Sequence, residues 1–339
     1  MQKELEMTTG NDLKLIDNCN RHLNYLRVSI TDRCNLQCRY CVPQELIPKL
    51  SHTDILTYEE ILRVVGVATR MGISKVRVTG GEPLVRKGVY EFLHELVASE
   101  GLKDVSLTTN GVLLHDNLAK IRSAGISRIN ISLDTLDRQK FHDITGFDEF
   151  ERVWQGIQGA HRMGFYPIKL NIVALRGIND TELVEMARLS LRFPFHIRFI
   201  EYMPIGQAGF KPESLLLVPE IKDQIRVLGN LMPVQEDRHD GPAQRYRYPD
   251  SEGEVGFIPA ISQHFCNKCN RLRLTASGQL RPCLLSDHQE DLKKVLREDG
   301  SDQDLADIFI SAVNRKPSDH NLVSQKSAHI CGHMQAIGG

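Results

Sequence analysis

The chain has 339 residues, 41% of them apolar, enough to bury a substantial core, read here as one large domain with a smaller addition. A formal net charge of -1 gives no global attraction to nucleic acid or to an anionic membrane, so any basic site must be local. The opening stretch MQKELEMTTGNDLKL has no basic region followed by an apolar one, and no apolar run approaches the roughly 18 residues that a bilayer span needs, so a cytoplasmic protein is expected.

From about Tyr25 to Pro204, strand-like runs alternate with helical spacing. Strands are predicted at Tyr25–Ser29, Lys75–Val78, Asp104–Thr108, Arg128–Ser132, Ile168–Ala174 and Ile197–Glu201. Helices are predicted at Tyr58–Gly72, Val89–Glu100, Leu118–Gly125, Phe150–Gly164 and Asp180–Arg192, several of them closed by a glycine (Gly72, Gly101, Gly125, Gly164). This alternation implies a parallel sheet with right-handed crossovers, and six units are too few for a closed eight-fold barrel. The expected fold is α/β, a partial (βα)6 TIM-like barrel. Its strands end in TDRC, TGGEP, TTNG, SLDT, a KLN segment and EYMP, and the carboxyl ends of parallel strands carry ligand sites.

Beyond Pro204 the period is lost. Gly206–Gly229 and Gln235–Gly253 read as loops and short pieces, Val255–Cys283 as strands and turns with cysteines, and Gln289–Glu298 and Asp302–Asn314 as short helices. The expected division is an N-terminal extension over 1–23, a barrel over 24–204 and a C-terminal subdomain over 205–339.

Three of only eight cysteines, Cys34, Cys38 and Cys41, fall in CxxxCxxC just after the first strand. In a reducing compartment such clusters are metal ligands or catalytic thiols rather than disulfides. A structural zinc site normally takes four protein ligands, and the local stretch has no histidine to complete one. An iron–sulfur cluster with three cysteines leaves one iron open for a small molecule. The second triad, Cys266, Cys269 and Cys283, is CxxC followed at a distance by a third cysteine, which taken alone favours zinc, with His264 as a fourth ligand. Arg271 and Arg273 follow two apart, so on an extended segment both guanidiniums face one way and can grip an anion. Cys19 and Cys331 read as free thiols outside the triads, and His329, Cys331 and His333 as too short a group for a metal tail.

CxxxCxxC with Tyr40 before its last cysteine, together with Gly80-Gly81-Glu82-Pro83 after the second strand, resembles the radical S-adenosylmethionine family. Adding the second triad, the Asn270–Thr275 stretch NRLRLT and the terminal Gly338-Gly339, nearly the whole chain resembles the GTP cyclase family that opens molybdenum cofactor biosynthesis. The resemblance implies two 4Fe-4S clusters, one on Cys34, Cys38 and Cys41 and one, in the C-terminal subdomain, on Cys266, Cys269 and Cys283. It implies S-adenosylmethionine against Tyr40, Gly81, Ser132 and Met203. GTP is implied at Arg27, Arg77, Thr108, Lys169 and the Arg271-Leu272-Arg273 segment, and Lys75 and Arg198 are added as strand-borne cations for a triphosphate of roughly four negative charges. Arg27, Arg271, Arg273, Gly338 and Gly339 take catalytic roles, the glycine tail entering the pocket. The implied activity is a lyase reaction in which a 5′-deoxyadenosyl radical removes hydrogen from C3′ of GTP and C3′ joins C8. Implied partners are an electron donor such as flavodoxin or ferredoxin and the next pathway enzyme, cyclic pyranopterin monophosphate synthase; the chain is expected to be a monomer or homodimer. Two rivals are a peptide-modifying two-cluster radical enzyme, for which this chain has no spare cysteines, and a zinc-stabilised binding module. There is one departure: relatives carry a glycine ahead of the basic residue upstream of the first strand, where this chain reads Asn18-Cys19-Asn20-Arg21.

Overall fold

A computed structural model describes residues 14–41, 49–203, 205, 212–235, 241–320 and 334–338. Cys331, His329, His333, Gly339 and the Pro204 boundary lie outside them. The chain runs β1 (Tyr25–Ser29), α1 (Tyr58–Arg70), β2 (Lys75–Thr79), α2 (Val89–Val97), β3 (Asp104–Thr109), α3 (Leu114–Ser123), β4 (Ile129–Ser132), α4 (Arg138–Thr145), α5 (Phe150–Arg162), β5 (Ile168–Ala174), α6 (Leu183–Arg192) and β6 (Phe195–Glu201). The six strands pair in parallel in chain order, each crossing over through helix to its neighbour. The glycines predicted to close helices, Gly72, Gly101, Gly125 and Gly164, all have positive φ. Helix α4 was not predicted. It is short and buries little beyond Phe141 and Ile144, so it has almost no periodic signal, and it is started by the Asp137 carboxylate accepting from the Lys140 N–H (2.8 Å).

Beyond β6 come α7 (Val218–Ile225), β7 (Met232–Pro233), β8 (Gln244–Arg247), β9 (Glu254–Ile258), β10 (Arg271–Leu274), β11 (Gln279–Arg281), β12 (Glu290–Asp291), α8 (Leu292–Arg297), α9 (Asp302–Asn314) and α10 (Met334–Ile337). The stretch expected to be loop over Gln235–Gly253 contains β8, because QRYR finds an antiparallel partner in β9. The helix expected from Gln289 starts at Leu292, since Glu290 and Asp291 pair with β11 instead. Strand β9 lies parallel beside β6, and β10 lies parallel beside β1. The C-terminal segment therefore extends both edges of the six-stranded core into one sheet, in the order β12-β11-β10-β1-β2-β3-β4-β5-β6-β9-β8-β7 among the described residues.

Alternation along each strand sorts its side chains into two faces. Leu26, Val28, Val76, Val78, Leu107, Ile129, Ile131, Leu170, Ile197, Phe199, Leu272 and Leu274 form one face, all buried in the main core with residues of the helices. Burial of such a side chain contributes about 1.5–3 kcal/mol. The register places Arg27 between Arg77 and Arg273, Tyr25 between Lys75 and Arg271, and Asn130 beside Lys169, so the opposite face is polar. It is this polar inner face that the sheet turns toward the cavity described below.

The N-terminal segment leans on the same body: the Leu15 N–H donates to the Met71 carbonyl (3.2 Å) and the Leu23 N–H to Leu15 (2.8 Å). At the Asn18–Arg21 departure, Asn20 takes φ +59°, the left-handed region, where asparagine is among the most tolerant side chains after glycine. The turn is kept without the glycine. Among the described residues no helix is long and apolar enough to cross a membrane.

Candidate active site

The first cysteine loop is fixed from two sides. The Gln37 and Arg39 N–H groups donate to the Thr145 and Ile144 carbonyls at the end of α4 (both 2.9 Å), while the Gly81 and Glu82 N–H groups donate to the Thr31 and Arg33 carbonyls (both 2.7 Å). The approach leaves no room for side chains. A Cβ on Gly80 would lie 2.7 Å from the Thr31 oxygen and one on Gly81 2.9 Å from the Asp32 oxygen. Glu82, fully buried behind the loop, accepts from the Leu84 N–H (3.1 Å), the Thr109 hydroxyl (2.9 Å) and the Asn110 N–H (2.7 Å). Burial pushes its carboxyl up to about 7, against the pull of those donors. The Asn110 amide reaches on to the Cys34 sulfur (3.6 Å). The ends of β2 and β3 and the cysteine loop thus form one hydrogen-bonded unit.

Burial raises the thiols of Cys34, Cys38 and Cys41, the last to about 12, and charge adds to this, from Glu82 at Cys34 and from neighbouring cysteines at Cys38 and Cys41. Three adjacent thiolates need a strongly cationic centre, which is the donor chemistry an iron–sulfur core satisfies. The Tyr40 hydroxyl donates to Asp134 Oδ2 (2.6 Å), and Asp134 Oδ1 accepts from the Val173 N–H (2.8 Å), tying the loop to β4 and β5. Burial pushes the Asp134 carboxyl up to about 6. With its hydroxyl engaged, Tyr40 offers the cavity its ring and backbone.

The second triad flanks β10 and β11. Cys266 opens a 3₁₀ turn over Cys266–Lys268, Cys269 follows it, and Cys283 comes just after β11. Burial raises the Cys266 thiol, whereas at Cys269 burial is outweighed by the charges of Lys316 and Arg271, which bring it down. Arg21, 6% exposed, braces this loop: its guanidinium donates to the carbonyls of Cys266 (2.6 Å) and Pro317 (2.7 Å) and pairs with Asp17 (2.6 Å). His264, Cys266 and His320 bring one donor atom each within 4.8 Å of one another.

All six cysteines line a single cavity of about 270 Å³, with Tyr40, Gly81, Ser132 and Met203, and with Arg27, Thr108, Arg271 and Arg273. Lys75, Arg77, Lys169 and Arg198 do not line it but stand on the same inner face of their strands. Lys75 pairs with Asp104 (3.1 Å), which also holds Arg128 (2.9 Å). Burial, then repulsion by Arg198 and Arg77, drives the Lys169 amine down to about 5. Burial and then Arg273 lower Arg27 strongly, and burial and then Arg271 bring Arg273 to about 10. Leu272 differs: its side chain is fully buried in the hydrophobic core, so only its backbone can meet a ligand. Gly338 lies against the strand ends, its carbonyl accepting from Arg273 Nη1 (2.8 Å), and at φ +77° a Cβ there would meet Ser29 and Thr79 at 2.9 and 3.0 Å.

Sequence reasoning missed Glu82, Asp134, Arg21, His320 and Lys316 as parts of the site. Glu82, Asp134 and Arg21 were within quoted stretches (GGEP, SLDT and Asn18–Arg21) but had no assigned role, and His320 and Lys316 sit in stretches whose meaning depends on contacts distant in sequence.

Residues 28–190 match the Radical SAM superfamily and residues 195–322 match Molybdenum Cofactor Synthesis C. A GTP 3′,8-cyclase of Desulforamulus reducens is 47% identical over 310 residues, 91% of this chain and 95% of that protein. One of Moorella thermoacetica is 47% identical over 306 residues, 90% of this chain and 95% of that protein. In fold, the chain is similar to Streptococcus suis SuiB bound to S-adenosylmethionine, with a TM-score of 0.60 at 14% identity, covering 94% of this chain and 78% of that one. Identity of this order along nearly the whole length of both proteins means that the chain belongs to the GTP 3′,8-cyclase family of radical SAM proteins.

Proposed function

We propose that the chain catalyses the first step of molybdenum cofactor biosynthesis as a lyase, converting GTP to (8S)-3′,8-cyclo-7,8-dihydroguanosine 5′-triphosphate. The hydrogen of the ribose C3′–H bond passes to the 5′-deoxyadenosyl radical, C3′ bonds to C8 of guanine as the C8=N7 double bond opens, and one electron from the reductant with one proton at N7 completes the 7,8-dihydro product. The observation that carries this reading is the convergence of two separate cysteine triads on one cavity with a cationic inner wall. Cys34, Cys38 and Cys41 would hold one 4Fe-4S cluster and Cys266, Cys269 and Cys283 another, each with an iron lacking a protein ligand. With S-adenosylmethionine, the first of these centres would supply the electron that yields a 5′-deoxyadenosyl radical.

The rest is positioning and shielding by this chain. Tyr40, Gly81, Ser132 and Met203 border S-adenosylmethionine: the Ser132 hydroxyl is a hydrogen-bond partner for ligand oxygens and Met203 an apolar surface for adenine. Arg27, Thr108, Arg271 and Arg273 border GTP, and Lys75, Arg77, Lys169 and Arg198 add the charge that a triphosphate requires. Gly338, held by Arg273, would meet the reacting region. The electron donor is a flavodoxin or ferredoxin, and the product passes to cyclic pyranopterin monophosphate synthase.

The test is anaerobic: holoenzyme with dithionite, S-adenosylmethionine and GTP, followed by mass spectrometry. Equal accumulation of 5′-deoxyadenosine and a cyclised GTP product is expected. Deoxyadenosine without a GTP-derived product would remove the substrate from this reading. A second reading, a single zinc ion at the second triad, is favoured by the proximity of His264, Cys266 and His320. Metal analysis separates the two: about eight irons per chain for two clusters, about four plus one zinc for the alternative.

A further inference from the structure

Lys316, just beyond α9, is 6% exposed. Its Nζ donates to the carbonyls of Arg271 (2.8 Å) and Pro282 (2.6 Å), and its charge draws the Cys269 thiol down. Pro282 precedes Cys283, so one ammonium touches the chain on both sides of the triad. Its hydrogen-bond partners among the described residues are two carbonyl oxygens, with no carboxylate. A buried cation is matched by an anionic neighbour, and its carbonyl partners carry no net charge, so the counter-charge must come from the triad itself. A cluster on three thiolates is anionic, and more so when reduced, and its potential responds to nearby charge and to hydrogen bonds at its sulfurs. The surroundings of the two triads differ in the same sense. The first stands near the Asp134 and Glu82 carboxylates with one cation, Lys49, the second near Lys316, Arg271, Arg273 and Arg21.

We propose that the Lys316 ammonium is the counter-charge of the second cluster, a positioning residue that holds Cys269 and makes that cluster easier to reduce. This rests on the two-cluster reading given above. The test uses holoenzyme without substrate, with iron counted and both clusters titrated by EPR against dithionite-poised mediators. In Lys316→Met, the reduction equilibrium constant of the second cluster should fall about tenfold, about 59 mV for one electron, while the first cluster stays unchanged. Lys316→Arg should remain near wild type. If Met empties the second site and Arg fills it, the charge is needed for retention and the proposal also stands. A filled Met variant at the wild-type potential overturns it, as does loss of the second cluster from both variants, which would mark a purely steric role. Iron for only one cluster in wild type would instead sink the two-cluster reading, and the inference with it.

Discussion

At Gly81 the backbone of one loop rests on the backbone of another, and a methyl group would press on carbonyls that cannot yield without moving the cysteine loop. Overpacking of this kind costs roughly 1–3 kcal/mol, and here the cost falls on the segment carrying Cys34. Gly81→Ala is therefore expected to lower first-cluster iron and to cut reductive cleavage of S-adenosylmethionine at least about tenfold, because the loop sits displaced or frayed. Wild-type iron content and cleavage in this variant would show that the loop relaxes freely. The sequence made this glycine conspicuous through GGEP, and the resemblance set it against S-adenosylmethionine. What it approaches was illegible, since the Thr31–Arg33 carbonyls have no signature in the letters. The Asn20 turn is the converse case: the residue departs from glycine, and its φ of +59° explains why asparagine serves.

Among the elements, the six parallel strands were readable because alternation writes their two faces directly, and Lys75 and Arg77 do share the inner one. The pairing of β10 with β1 was not readable. It joins distant parts of the chain, and no local pattern announces a strand's neighbour across such a gap. The N-terminal segment is tied into the same seam through Arg21, whose side chain is 4% exposed and whose partner Asp17 is fully buried. Removing one member of such a pair leaves the other charge uncompensated, at a cost of about 3–5 kcal/mol. Arg21→Met is expected to lower the melting temperature by several degrees and to reduce iron at the second site more than at the first, because the Cys266 carbonyl loses its donor. Equal iron loss at both sites on quantitative Mössbauer spectra would refute a local brace.

Taken whole, the molecule is nearly neutral yet gathers arginine and lysine on one inner wall, where burial and mutual repulsion take the charge from Lys169. Lys169, at about 5, is a neutral amine at pH 7 in the free protein. A polyphosphate beside it favours the ammonium, so binding must take up a proton, and affinity must fall as pH rises from the free value toward the bound one, by up to about tenfold per pH unit. Below about pH 5 the dependence contributed by this lysine vanishes, because the group is charged in both states. Calorimetry of GTP binding to holoenzyme without reductant, in buffers of differing ionisation heat, reads the uptake directly. Because the GTP phosphates also titrate, the decisive quantity is the difference between wild type and Lys169→Met. Wild type should take up more protons per GTP at pH 7 than the variant, which should also bind GTP more weakly. Identical uptake in the two proteins would mean that Lys169 does not meet the phosphates, and that the charge on the triphosphate is matched by Lys75 and the arginines.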